Sequence, residues 1–147
     1  MSITTTIQDN KDLVTKFFAE LDEHNLDVLD ELLAEDYTTG IYRSGETEPI
    51  DGVEGMKELW SEYWQAFPDL HGVELELIAE DDRVAFFRTE AGTHEGDFRG
   101  IEATGNEITF EYGGYVVIED GEFAHDHFRG NMLDLLRQLD VDSPLAS

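Results

Sequence analysis

The chain has 147 residues, the usual size of one domain, and the whole of it is read as a single domain with an ordered core over about 8–139. Its hydrophobic share of 40% is enough to bury a core, which excludes a disordered chain, and no apolar run approaches the ~18 residues of a membrane span. Cysteine is absent, which excludes disulfide and thiolate chemistry, and 35 acidic residues against nine basic ones give a net charge of −26, which excludes nucleic acid and anionic membranes as partners.

The acids are scattered through every segment rather than gathered in a tail, and only Lys11, Lys16 and Lys57 are lysines. An acidic partner-binding surface is one reading. A salt-adapted, halophilic surface is the favoured one, because screening shortens to roughly 3 Å at 1 M salt. Met1 to Asn10 lacks the charged-then-apolar pattern of a signal peptide, so a cytoplasmic location is expected.

The first helix is expected from about Gln8 to His24, with Leu13, Val14, Phe17, Phe18 and Leu21 on one stripe. A second, about Leu26 to Ala34, carries Leu26, Leu29, Leu32 and Leu33. The stretch Tyr37 to Asp51 reads as irregular, and Glu46, Glu48 and Asp51 as solvated loop acids. The third helix runs from Gly52 to Phe67 on a stripe of Met56, Leu59, Trp60, Tyr63, Trp64 and Phe67, and Pro68 stops it. After Gly72 the period changes to two. Val73, Leu75 and Leu77 alternate with Glu74 and Glu76, a strand with one wet face. Asp81-Asp82 turns the chain into a strand from Arg83 to about His94, apolar on both faces and therefore placed centrally. A strand over about Glu107 to Ile118 is interrupted by Gly113-Gly114, which reads as a bulge or bend. Asp120-Gly121 is a hairpin signal, the last strand runs from Glu122 to about Gly130, and a short helix carries Leu133, Leu136 and Leu139. Three helices ahead of a mostly antiparallel sheet imply an α+β fold. The aromatic surplus of the third helix points to a pocket between helices and curved sheet.

Several segments together resemble the SnoaL-like polyketide cyclase (ester cyclase) family of the nuclear transport factor 2-like superfamily. They are Glu35-Asp36-Tyr37, Phe67-Pro68-Asp69-Leu70, Gly92 to Phe98, Thr104-Gly105-Asn106, Glu119-Asp120-Gly121 and Leu135 to Leu139. The resemblance spans about Leu13 to Leu139. It implies a cone of helices on a curved sheet, a homodimer, and ring closure by intramolecular aldol chemistry with no metal or cofactor. It also implies an aspartate after the final strand as the acid–base group. Here that position is Asn131, whose amide can orient a carbonyl but cannot act as a base. His127 stands where the family often has tryptophan, and Gly40 where it often has histidine.

His125, His127 and Arg129 share strand parity with Asn131, and the family match makes their face the pocket, provided no bulge intervenes. They read either as a relocated acid–base centre or as a hydrogen-bonded polar rim. In the first reading His127 is the base, and Arg129 and Asn131 stabilise the oxyanion. His94 either meets a ligand carbonyl or pins the following turn. A metal on His125, His127 and His94 is a weak alternative. Arg88 either pairs with an acid inside the pocket or lies on the outer, subunit-facing side of the sheet, and structural pairing is the favoured reading. Trp60, Tyr63, Trp64, Phe86, Tyr112 and His125 are the expected ligand contacts, within an aromatic set that also includes Phe67, Phe110 and Tyr115. The expected function is cofactor-free acid–base chemistry on a small apolar carbonyl compound. The alternative is a domain that only binds a small hydrophobic ligand.

Overall fold

Thr6 begins the first helix by a reciprocal cap: Asp9 N donates to Thr6 Oγ1 at 2.9 Å, and Thr6 N donates to the Asp9 carboxylate at 3.1 Å. The computed structural model describes residues 6–42 and 47–140, so Glu46 and most of both polar ends lie outside the described residues. The elements in chain order are α1 (Ile7–Asp22), α2 (Asp27–Leu32), β1 (Leu33–Thr39), α3 (Gly52–Ala66), β2 (His71–Glu80), β3 (Arg83–Thr93), β4 (Glu107–Glu119), β5 (Glu122–Gly130) and α4 (Met132–Gln138). No described helix is long and apolar enough to cross a membrane.

The sheet has the order β1-β5-β4-β3-β2 and is antiparallel except for the β1–β5 pair. Strand β1 corrects the expectation of an irregular segment. Leu33, assigned by its leucine spacing to the second helix, instead opens a strand with Leu33, Tyr37 and Thr39 buried. Its partner lies some ninety residues onward (Thr38 pairs with His125), so no local periodicity announces it.

The helices cover one face of the sheet. Val14, Phe17, Phe18 and Leu21 of α1 pack with Met56 and Trp60 of α3 onto Val84, Val116 and Phe123. Each such large side chain contributes about 1.5–3 kcal/mol on leaving water. A second cluster joins Phe67, Leu70, Phe98 and Ile108 to Leu135 and Leu139 of α4. The inward residue of α4 is thus Leu135, while Leu133 and Leu136 are half-buried. Strand β3 is interior, but only one face is covered: Phe87 on the other is 41% exposed. In β2 a register shift between Gly72 and Glu74 turns Val73 out to 62% exposure.

Gly113-Gly114 is not a bulge. The register runs through it without a shift, as Phe86 pairs with Gly114 and Gly114 with Phe128. The glycines serve close approach instead. A Cβ on Gly113 would stand 2.9 Å from the Phe86 carbonyl oxygen, and one on Gly114 would overlap that of His127. The bulge lies further on, where Val117 pairs with His125 but Ile118 pairs with Phe123, leaving Ala124 over.

Candidate functional site

A cavity of about 290 Å³ lies between α3 and the covered face of the sheet. Leu59, Trp60 and Tyr63 line it from α3, Glu90 from β3, Phe110 and Tyr112 from β4, and Phe128 from β5. Four of these rings form one wall: Tyr63 stacks on Phe110 at 6.0 Å, Phe110 on Tyr112 at 5.6 Å, and Tyr112 on Phe128 at 6.0 Å. Such a wall suits a flat apolar ligand. Exposed Tyr42, Arg99 and Arg129 stand around the mouth, whereas Trp60, Glu90 and Tyr112 are buried.

Glu90 is the carboxylate that lines this cavity. It is 3% exposed, and burial holds its pKa above the usual carboxylate range against the opposing charge of Arg88. Arg88 meets the expectation of an internal ion pair. Its guanidinium closes on Asp22 and reaches Glu90 only at 3.5 Å. Burial lowers the Arg88 pKa, but Tyr112, Glu90 and Asp22 around it raise it by more. Asp22 thus takes the closer share of the arginine, and Glu90 is left beside a cation without being locked to it. The sequence reading did not single out Glu90. The available signal was its parity with Val84, Phe86 and Arg88 on the same strand.

Of the residues expected at the site, Trp60, Tyr63, Tyr112 and Arg129 line the cavity. Arg129 does so at the mouth, donating to the carbonyls of Gly40 and Phe128 at 2.7 and 2.9 Å. Phe86 is core, packed on Phe18 and Phe128 with ring centroids 5.1 and 4.7 Å apart. Trp64 stacks on His24 at 4.5 Å instead of facing the cavity. His94 is fully buried under Phe67 and bonded through Nδ1 to Thr104, so it pins the 94–104 turn.

His125 and His127 point away from the cavity. His127 pairs directly with Tyr115 on the uncovered face of the sheet, and His125 Nδ1 lies 2.6 Å from Thr38 Oγ1. Burial, His125 and Arg129 together lower the pKa of His127. No shift separates these histidines from Arg129 and Gly130, so the face assigned through Asn131 was the wrong one; the extra residue Ala124 lies before them. Phe123 and Phe128 both enter the core although they are five residues apart, and only a bulge lets them share a face. Beyond it Asp126 and Phe128 point in, and His125 and His127 point out. Among the described residues no three His, Asp or Glu side chains gather to hold a metal.

Asn131 is not among the residues that line the cavity. Its side chain accepts from Asp134 N at 3.2 Å and caps α4. The buried carboxylate of the last strand is Asp126, which accepts from Tyr37 OH at 2.6 Å and from Thr39 Oγ1. Burial raises its pKa to about 6, with the two hydroxyls working in the other direction. This cluster fastens β1 to β5 and does not line the cavity.

Residues 12–139 match the SnoaL-like polyketide cyclase family. The chain belongs to that family. No curated protein matches it. Among solved structures it is similar to AclR from Streptomyces galilaeus, at 25% identity and a TM-score of 0.81 over 92% of this chain and 98% of that one. TsrD from Streptomyces laurentii is 27% identical, with a TM-score of 0.78 over 92% and 97%. A SnoaL-like polyketide cyclase from Agrobacterium tumefaciens is 16% identical, with a TM-score of 0.71 over 88% and 97%, a likeness of fold alone. The nuclear transport factor 2-like cone is thus the architecture of this SnoaL-like chain. Its shared segments have local tasks. Asp69 accepts from Thr93 N and Oγ1 at 2.6 and 2.8 Å, tying the exit of α3 to the end of β3. Gly96 lies so close to the Gln65 carbonyl that a Cβ would overlap it.

Proposed function

We propose that this SnoaL-like protein binds a small, flat, apolar carbonyl compound in the cavity and moves a proton at the carbon beside the carbonyl. Glu90 is the acid–base group. Its carboxylate takes the proton, the C–H electron pair becomes the carbon–carbon π bond of an enolate, and the carbonyl π pair moves to oxygen. Attack of the enolate carbon on a second carbonyl closes a ring, and the new alkoxide takes the proton back from Glu90. Return of the proton to a different carbon isomerises the compound instead. Side chains alone supply this chemistry.

The observation that carries the reading is a 3% exposed carboxyl lining an aromatic cavity, with its pKa pushed up by burial towards working pH. The test is deuterium exchange into the methyl group of 2-acetonaphthone in D2O, followed by proton NMR. The protein is expected to accelerate exchange, and Glu90→Gln to lower that acceleration by roughly 10²–10⁴-fold. Equal rates in both proteins remove Glu90 from the reaction.

A second reading, a domain that only binds its ligand, is favoured by Asn131. The residue matching the family aspartate is used as a helix cap, and Phe128, Arg129 and Gly130, the last-strand residues beside it that line the cavity, carry no carboxylate. Binding of 2-acetonaphthone without exchange above background supports this reading.

The proposal includes a homodimer adapted to concentrated salt. The uncovered sheet face exposes Ile78 by 73% and Phe87 by 41%, and the net charge of −26 opposes association at low ionic strength. Sedimentation in dilute buffer and in 2 M KCl tests it, with more dimer expected in salt.

A further inference from the structure

The mouth of the cavity is basic on an acidic protein. The chain has 35 acidic residues against nine basic ones, yet among the described residues the exposed charges of the lining are Arg99 and Arg129. The acid of the lining, Glu90, is buried. The two arginines differ in what they hold. Arg99 Nε donates to Glu62 at 2.9 Å, so a carboxylate already meets its charge. Arg129 has neutral partners. Its Nη1 donates to the carbonyls of Gly40 and Phe128 at 2.7 and 2.9 Å, and no acid among the described residues pairs with it.

Those two bonds hold the guanidinium in place without neutralising it. Its Cζ lies 5.7 Å from the ring centroid of Tyr42, another residue of the lining, which puts the charge itself, and not only the backbone of Arg129, at the mouth. A guanidinium has five N–H donors in a rigid fork. The carbonyls occupy Nη1. The hydrogens on Nε and Nη2 meet no acceptor among the described residues, and that edge of the fork grips a planar carboxylate through two parallel bonds. One such edge and one uncompensated charge suit a monoanion better than a phosphate.

We infer that Arg129 receives a carboxylate at the outer end of the bound compound. The inference rests on the reading of the cavity given under Proposed function and adds the substrate class: a flat aryl ketone that bears one carboxylate at the end away from the ketone. The rings lie along the wall of Tyr63, Phe110, Tyr112 and Phe128, and the carboxylate stays at the mouth, shared between water and Arg129. The ketone is then the end that enters towards Glu90. The charge sets this direction, because a carboxylate pushed inward would lose its water and meet the Glu90 carboxyl. Arg129 thus selects and orients the compound and takes no part in moving the proton.

The experiment compares 6-acetyl-2-naphthoic acid with 6-acetyl-2-naphthamide, which has the same shape and no charge. Affinities are measured by calorimetry at pH 7, where the acid is ionised, for the wild type, Arg129→Gln and Arg137→Gln, with thermal melts to establish folding. Arg137 is exposed in the last turn of α4, outside the cavity lining, so its variant makes the same change of net charge elsewhere. The surface as a whole repels an anion, so tighter binding of the acid reports a local cation. The acid is expected to bind the wild type and Arg137→Gln about fivefold more tightly than the amide. Arg129→Gln is expected to bind the two alike. In a nitrogen-15 spectrum of the wild type, the Arg129 Nε–H signal is identified by its loss in Arg129→Gln. The acid shifts it downfield and the amide does not. Equal binding of acid and amide by the wild type overturns the inference, and so does a preference for the acid that survives in Arg129→Gln. Either result leaves the cavity reading standing. If neither these compounds nor 2-acetonaphthone binds, the cavity reading falls and the carboxylate site with it.

Discussion

The imidazole of His127 occupies the space that a side chain at Gly40 would need. A Cβ on Gly40 would overlap the His127 ring. Two of the three departures from the family pattern are therefore one packing event, on the uncovered face of the sheet. Gly40→Ala is expected to destabilise the protein by about 1–3 kcal/mol through overpacking. Most of this cost should vanish in a His127→Ala background. A double-mutant cycle read by urea unfolding measures the coupling, and additive effects would refute the contact.

Asp126 makes stability depend on pH with an unusual sign for a carboxylate. Its pKa rises from an ordinary 3.8 to about 6 in the folded protein. Between those values the native state keeps a proton that the unfolded chain has released. The group's contribution is thus most favourable below pH ~4 and declines as pH rises through about 6, by a total of about 3 kcal/mol. Urea unfolding at pH 4.5 and pH 7 reads the difference. Asp126→Asn should flatten the slope relative to the wild type, because its amide does not titrate.

Asp22 tunes Glu90 through Arg88. It draws the guanidinium towards itself, and its own charge also raises the Glu90 pKa. Asp22→Asn removes both effects and leaves Arg88 to Glu90. The acid limb of the pH–rate profile for ketone proton exchange is expected to move to lower pH. A limb that stays in place assigns that titration to another group.

Asn131 caps α4 through its side chain. Asn131→Ala is expected to cost about 0.5–2 kcal/mol through loss of the α4 cap. Exchange at the ketone should be unchanged, as it should be in Asn131→Asp, which keeps the cap. A rate change in Asn131→Asp at constant stability would return this position to the site.

The surface charge predicts a response to salt. With a net charge of −26, self-repulsion opposes the folded state in dilute buffer. The thermal midpoint is expected to rise by roughly 5 °C or more between 0.1 and 2 M KCl. Equal midpoints would remove the salt-adaptation proposal.

Much of the architecture was legible locally. The Val14, Phe17, Phe18 and Leu21 stripe, the stop at Pro68 and the alternation of Leu75 and Leu77 each follow from the period of one element, because side-chain direction within an element is set by its own backbone. The ordered family segments carried the cone with them. The aromatic surplus of α3 pointed to a cavity, and Trp60, Tyr63 and Tyr112 do line it.

What tertiary structure alone decided is which face each strand presents, and to whom. Strand β1 exists because Tyr37 and Thr39 find Asp126 across the chain. The histidines of β5 face away from Phe123, whose parity they share, because Ala124 is one residue too many for the β4 register, and a one-residue slip exchanges every later side chain between core and surface. Glu90 became the acid of the site for a similar reason. Its place on the covered face put it in the cavity, while Asp22 from a distant helix took the nearer share of Arg88. Residue types and periods are local quantities that a sequence records. Register, bulge position and the sharing of one arginine between two carboxylates are settled only when distant segments compete for the same space and charge.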